Sequence, residues 1–497
     1  MSDAARSGRD TPRRWILLAD MDAFFASVEQ SCHPHLRGQA VIVCGDPSRR
    51  GVVTAASYEA RPTGVHAGMP LAEAKRLCPH AHYVEGDPEK YVAMSLRLLE
   101  HYLTFTPDVE PFSVDEAFLA VGRVGGTIDE ARAIAAGIQR GVLDKFELTA
   151  SIGVGPNKLI AKMASGVSKP FGLTAFDQAA FQAHFWPLDV QQLWGVGQQT
   201  SARLKGLGLA TVGALANADR RRLEAMFGVI GPHLIDSAQG IDHTPLIPYH
   251  EGVDPKSMGH EVTLPEDCRD TLALEGTLLR LSDQVARRLR SEGFRARTVT
   301  LKLRDHRFET RLRQRSLGRA TDDHAQVYEV ARALWRELWK GEPLRLLGVS
   351  VSGLVPADDS QQGELFAVDD RATRLREAMD KVRDKLGEAV IVPAGSLSYR
   401  RALGHVPFGA VSPRTGRGEG AKRDAATGDD RRGGKPEGWP DPTARAPRFA
   451  PRAESDRGPK HPTQRDGEPG SDGAGPDPRR RGDATPPRRV TRRDRDL

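Results

Sequence analysis

Three carboxylates stand where a divalent cation would need them. Asp20 directly follows the apolar run Trp15 to Ala19 (WILLA), and Asp115-Glu116 interrupt the apolar stretch Phe112 to Leu119 (FSVDEAFL). Both places read as strand ends, where an unpaired carboxylate close to buried sheet is costly unless a cation faces it. Hard oxygen donors of this kind suit Mg²⁺, which takes one or two carboxylates together with substrate phosphates. Salt bridges at strand ends would satisfy the same residues, and at this point both readings stand. Asp22 is a fourth candidate ligand, and with Asp20 ending a strand it is expected instead to cap the helix that follows. The cysteines Cys32, Cys44, Cys78 and Cys268 lie far apart with no CxxC pair. Neither a disulfide framework nor a zinc site is expected, and a reducing cytoplasm fits.

The elements that must carry these residues alternate. Strand signals cover 15–19, 40–44, 51–55, 118–121 and 148–154, with helical periodicity at 23–32, 69–77, 91–102 and 128–145. Such alternation predicts helices packed on a sheet. From about residue 187 the pattern becomes short helices punctuated by glycine, with Gly195-Val196-Gly197 and Leu207-Gly208 as the turns. After Gly252 a further unit reads as helix 272–290, strands 298–304 and 308–313, helix 325–339 and strand 344–354, a small sheet backed by two helices. A charged helical segment follows at 374–386.

Length and composition set the frame. The 497 residues exceed one hydrophobic core and suit three or four domains. With 39% hydrophobic and 28% charged residues and no long apolar run, neither a membrane span nor a signal peptide is expected. The net charge of +6 sits entirely in residues 405–497, which hold 21 Lys+Arg and 15 Asp+Glu. That segment also has 14 Pro and 14 Gly, a composition expected to be disordered. Basic residues concentrate again between Arg280 and Arg319, 13 against 4 acidic. Lys302 and Arg304 alternate on one expected strand, and Arg311, Arg313 and Arg315 on the next. Period-two spacing puts each set on one sheet face, suited to tracking a phosphate backbone.

Four collinear motifs resemble those of Y-family, lesion-bypass DNA polymerases, and within that family the bacterial DNA polymerase IV branch. They are Leu18 to Glu29 (LADMDAFFASVE), Tyr58-Glu59-Ala60-Arg61, Ser113 to Phe118 (SVDEAF), and Ser151 to Gly155 (SIGVG) followed by Asn157 to Lys162 (NKLIAK) and Ser168-Lys169-Pro170. The likeness covers roughly residues 13–355. It implies an α+β right hand: palm at 13–22 and 86–186, fingers at 23–85, a helix-hairpin-helix thumb at 187–252 and a little finger at 253–355. A clamp-binding peptide with a short helical segment would occupy 356–404, and a disordered basic tail 405–497.

The resemblance implies DNA-templated DNA synthesis past lesions by two-metal-ion nucleotidyl transfer, with low fidelity and no proofreading. Asp20, Asp115 and Glu116 would be catalytic and, with the Met21 carbonyl, would hold two Mg²⁺ ions. Tyr58, Arg61 and Lys169 would contact the triphosphate, joined by the backbone amides of Phe24 and Phe25 at a helix start. Phe25 would be the steric gate against a 2′-hydroxyl, and Phe24 a core residue. Gly195 and Gly197 would let backbone amides approach a DNA phosphate, and Lys302, Arg304, Arg311 and Arg313 would grip the duplex. Lys256 to Gly259 resembles the linker into the little finger. Gln362, Leu365 and Phe366 resemble the QxxLF peptide that binds a sliding clamp.

Two departures stand out. Ala55 replaces a threonine common before the finger motif, and Ala120 an acidic residue common after the second carboxylate motif. Expected partners are primer–template DNA, deoxynucleoside triphosphates and the clamp, with no membrane. A cytoplasmic bacterial monomer, nucleoid-associated when working, is expected. Two other readings compete: a catalytically inactive scaffold, which should lack the metal ligands, and a DNA-binding repair module without polymerisation, which should lack the finger motif and the Lys169 block.

Overall fold

The computed structural model describes residues 14–252, 254–357, 370–387 and 390–396. Gln362, Leu365 and Phe366, and the segment 405–497, lie outside the described residues. The first sheet is built around β1 (Trp15–Met21), whose inner residues Leu17, Leu18 and Ala19 are fully buried. Such a near-continuous apolar run belongs to a strand covered on both faces. The run continues through Asp20 to Met21, so Asp20 is inside the strand and not just past it.

The chain proceeds through α1 (Phe24–Cys32), β2 (Val41–Cys44), β3 (Val53–Ala56), α2 (Leu71–Leu77) and β4 (His82–Glu85). Strands β3-β2-β4 form a small three-stranded sheet. Then come α3 (Pro88–Leu103), β5 (Val109–Pro111), β6 (Glu116–Val121), α4 (Ile128–Phe146), β7 (Ala150–Gly155), α5 (Lys158–Ser165) and β8 (Leu173–Ala175). The order β5-β6-β1-β7-β8 places the Asp20 strand between the strand of Glu116 and that of Ser151. Helix α4 opens on a capping box in which Thr127 and Glu130 bond each other's backbone amides. Gly153 lies directly under α5, and a Cβ there would run into the backbone of Ala161 and Ser165. That close approach brings Lys162 over the sheet.

The next stretch is all helix: α6 (Gln178–Phe185), α7 (Gln198–Gly206), α8 (Val212–Ala216), α9 (Arg220–Phe227) and α10 (Ile230–Ala238). It packs around Phe181, Phe185, Leu193, Leu204 and Leu215. Gly195 has φ +89, a left-handed turn that suits glycine, and Gly197 caps α7.

The last unit runs β9 (Ser257–Cys268), α11 (Thr271–Ser291), β10 (Phe294–Asp305), β11 (Thr310–Thr321), α12 (His324–Leu338) and β12 (Leu344–Pro356). Its antiparallel sheet has the order β11-β10-β12-β9. Ser257 to Gly259 is therefore the start of a strand paired with β12, not a linker. Along β10, Ala296, Val299, Leu301 and Leu303 are buried against the two helices, which leaves the alternate positions on the open face.

The charged segment forms α13 (Asp370–Leu386), longer than its periodicity indicates. It lies on the outer face of α11, where Arg383 pairs with Asp283 at 2.8 Å, both buried, and Arg290 with Asp380 at 2.6 Å. No helix among the described residues is long and apolar enough to cross a membrane.

Candidate active site

Antiparallel pairing of β1 with β6 sets Asp20 opposite Glu116, and the Met21 amide donates to the Asp115 carbonyl at 3.0 Å. A tight turn brings Asp115 there, since the Phe112 and Ser113 amides both donate to the Glu116 carbonyl, at 2.9 and 3.1 Å. All three carboxylates line one cleft of about 580 Å³, together with Met21 and Lys169. The Lys169 ammonium rests on Asp20, and the Lys162 ammonium on Glu116, 3.8 Å from Asp20. Asp115 accepts from the Ser113 hydroxyl at 2.5 Å.

Asp20 is only 7% exposed. Burial pushes its carboxyl up to about 6; Lys169 opposes that rise and neighbouring Glu116 adds to it. Among the described residues no three acidic or imidazole groups are already closed into a cation cage. The donor chemistry nonetheless fits a hard divalent ion: hard oxygens on adjacent strands, with Asp20 in a buried place that disfavours its charge even beside lysine.

The other end of the cleft is built by the first turn of α1 and by β3. Phe25 faces the cleft and stacks on Tyr91 of α3, centroids 4.3 Å apart and planes 17° off parallel. Phe24 is buried in the core. Tyr91 is held from behind, its hydroxyl donating to buried Glu29 at 2.7 Å, which also pairs with Lys90 at 2.9 Å. Burial first, then Glu29, raises the Tyr91 phenol above its usual range, so it stays a donor. Ala23, in left-handed conformation at φ +45, precedes α1 with no side-chain cap, which leaves the amides of Phe24 and Phe25 without a capping acceptor. Thr54, Ala55, Ala56 and Ala67 line the wall from the three-stranded unit.

Arg61 reaches the cleft; Tyr58 does not line it. Tyr58 lies beneath the Arg61 guanidinium, 4.1 Å from ring centre, with its hydroxyl 3.4 Å from Asp22. Asp22 itself departs from expectation. It caps no helix; buried to 1% exposure, it accepts from the Ser151 hydroxyl and the Phe171 amide, each at 2.8 Å. Residue 23, not 22, occupies the cap position, so the carboxylate points into the sheet and ties the loop of Lys169 to β1. Sequence reasoning missed this role, along with Lys162 and Tyr91. Lys162 sat in a quoted motif, whereas Tyr91 reaches Phe25 across 66 positions with no local signal.

Away from the cleft, Gly195 and Gly197 are open, with nothing within 4 Å of where a Cβ would stand. Lys302 and Arg304 occupy the open face of the four-stranded sheet; Arg295 and Arg297 are also on the unburied side, the alternation being shifted by one at an irregularity between Ala296 and Thr298. Lys302 pairs with Glu261 at 2.7 Å, and Arg304 donates to the Thr310 hydroxyl at 2.8 Å. Arg311 and Arg313 fall on the opposite, helix-covered side. Arg311 is tied to Glu342 and to the Leu338 carbonyl (3.0 Å), and Arg313 lies 3.8 Å from Glu337. Period two is the cause: Leu301 and Leu303, both core residues, pair with Arg313 and Arg311. These two arginines therefore do not join Lys302 and Arg304.

Residues 19–166 match the model of the impB/mucB/samB family, and residues 255–365 that of the same family's C-terminal domain. A DNA polymerase IV of Moorella thermoacetica is 42% identical over 77% of the chain and 96% of that protein. One of Pelotomaculum thermopropionicum is 41% identical over 77% and 95%. Among solved structures, a Y-family DNA polymerase chimera of Dbh and Dpo4 superposes with a TM-score of 0.63 at 26% identity, over 69% of this chain and 99% of that one. An insertion ternary complex of Dbh DNA polymerase gives 0.51 at 26% identity, over 69% and 99%. With its carboxylate cleft on the strands that carry the family's motifs, the chain belongs to the impB/mucB/samB family, the Y-family DNA-directed DNA polymerases of translesion synthesis.

Proposed function

We propose that the chain extends a primer by two-metal-ion nucleotidyl transfer in the cleft between β1, β6 and α1. One observation carries the reading: the same cleft joins three hard carboxylates, with Lys169 on Asp20, to cationic Arg61 and to Phe25 stacked on Tyr91. The five-stranded unit acts as palm, the three-stranded unit as fingers, the helical stretch as thumb and the four-stranded unit as little finger. Asp20, Asp115, Glu116 and the Met21 carbonyl are the residues to hold the ions. Two Mg²⁺ ions, when bound, promote ionisation of the primer 3′-hydroxyl and neutralise the departing pyrophosphate.

The protein's own groups position the rest. Arg61 offers a planar fork to the triphosphate and Lys169 a point charge; the Phe24 and Phe25 amides add donors at a helix start. Tyr58 acts mainly by seating Arg61, and Asp22 by fixing the Lys169 loop. Phe25, backed by Tyr91, stands against C2′ of the sugar and selects deoxynucleotides. The wall of Thr54, Ala55, Ala56 and Ala67 is made of small side chains that grip a base pair weakly, which supports low fidelity and tolerance of altered bases. No proofreading is expected of this cleft, because it holds a single carboxylate cluster.

DNA is held by the glycine turn at Gly195 and Gly197 and by the open sheet face with Lys302 and Arg304. Recruitment to a sliding clamp rests on the residue pattern Gln362, Leu365 and Phe366, apolar anchors with a polar rim contact. Primer extension with Mg²⁺ tests the reading: the wild type extends, and Asp115→Ala does not. Equal extension by both, or none by the wild type, overturns it.

A further inference from the structure

Two large aromatic side chains stand in water beside the cleft. Phe112 is 48% exposed and Trp194 41%, and their rings meet edge to face, centroids 6.0 Å apart at 72°. They come from different units, Phe112 from the carboxylate turn and Trp194 from the residue before the left-handed Gly195. Neither ring is loose. Phe112 is braced edge-on by buried Phe118 at 5.4 Å, and its amide shares the Glu116 carbonyl that shapes the Asp115–Glu116 turn. The Lys162 ammonium, which rests on Glu116, lies 6.0 Å from the Phe112 ring centre. A continuous path of contacts thus runs from Glu116 through Lys162, Phe112 and Trp194 to Gly195.

From this arrangement we infer that Phe112 and Trp194 form a platform for the primer strand, taking the apolar edges of its last deoxyriboses. The inference rests on the polymerase reading above. A strand with its 3′ end at the carboxylates and its phosphates on the Gly195–Gly197 amides must cross both rings on the way. Contacts with deoxyribose edges carry no sequence information, as a polymerase requires. Because Phe112 moves with the carboxylate turn and Trp194 with the hairpin, the platform makes the lateral position of the primer depend on both at once. The two are positioning residues: they bring the 3′-hydroxyl to the site and take no part in the bond that forms.

The full chain tests this with Trp194→Ala, Phe112→Ala, the double variant and the conservative Trp194→Phe. Single-turnover addition of a correct nucleotide is expected to slow about tenfold in each alanine variant, the cost of a slightly misplaced 3′-hydroxyl, with the KM for the nucleotide nearly unchanged. The double variant is expected to be no slower than either single one, and Trp194→Phe to keep most of the rate. Emission of Trp194, taken as the difference between wild type and Trp194→Phe, should lose its access to acrylamide when primer–template is added, but not with template strand alone. Unchanged rates in both alanine variants overturn the platform, as does equal acrylamide access with and without primer. So do additive losses that follow a drop in melting temperature, since those mean a purely structural contact. A wild type that extends primers while Trp194 stays accessible refutes the platform alone; one that extends none refutes the polymerase reading.

Discussion

Replacing Asp20 by asparagine should separate the site's chemistry from its cost to folding. The carboxyl is nearly buried, and burial pushes it up to about 6 in the folded chain from its ordinary 3.8. A carboxyl with raised proton affinity favours folding while it is protonated. That contribution is complete below pH 3.8 and is lost as pH rises through about 6. At about 1.4 kcal/mol for each tenfold change in proton affinity, ionised Asp20 costs the folded chain about 3 kcal/mol at pH 7.5. Asparagine cannot ionise and is spared this.

In EDTA at pH 7.5, Asp20→Asn should therefore be the more stable protein by up to about 3 kcal/mol, with the difference gone by about pH 4. Urea denaturation at four pH values between 4 and 7.5 reads this directly. Added Mg²⁺ should then stabilise the wild type and not the variant, and the variant should extend no primer. The reasoning fails if Asp20→Asn is less stable at pH 7.5, or if its advantage is the same size at pH 4.

Three further outcomes follow from the geometry. Phe25→Ala should raise ribonucleotide incorporation strongly, and Tyr91→Leu by about two- to tenfold, the worth of one aromatic stack; unchanged sugar discrimination in Phe25→Ala would remove the gate assignment. Lys302→Ala and Arg304→Ala should each lower the slope of log DNA affinity against log salt by about 1 if they meet phosphates, whereas Arg313→Ala should leave it alone. Arg383→Ala strands buried Asp283 without its partner and should destabilise the little finger by about 3–5 kcal/mol, seen as a lower urea midpoint and faster proteolysis within α13.

Much of this was readable from residues alone, for a physical reason. The strand through Asp20 and the turn at Asp115-Glu116 are local patterns, in which apolar runs interrupted by charge mark sheet; whether a cation or a salt bridge meets that charge is not written in them, and Lys162 and Lys169 do meet it here. The helix beginning at Phe24 was equally legible, and the resemblance singled out Phe25, which does face the cleft. Contacts between distant segments were not. The stack of Phe25 on Tyr91 and the clasp of Asp22 on Ser151 and Phe171 depend on how β1, α3 and β7 come together. Arg311 and Arg313 are a different case. Their alternation was seen, but alternation says only that they share a face, and the pairing with Leu301 and Leu303 decides which one. Lys256 to Gly259 resembles a connector, yet pairing of Ser257 to Gly259 with β12 makes those residues strand, with Met258 buried.

The seat of α13 has a practical corollary. On α11 the side chains of Leu274, Leu278, Leu281, Val285 and Leu289 turn inward, while Asp283, Arg287 and Arg290 turn out to receive the added helix. Ser396, the last described residue, is buried in the same region, with Gly395 beside Leu279. The whole of this seat lies on the side averted from Lys302 and Arg304. A fluorophore attached at exposed Leu375 of α13 would stand behind the four-stranded sheet, so labelled versions for single-molecule imaging leave that basic face open.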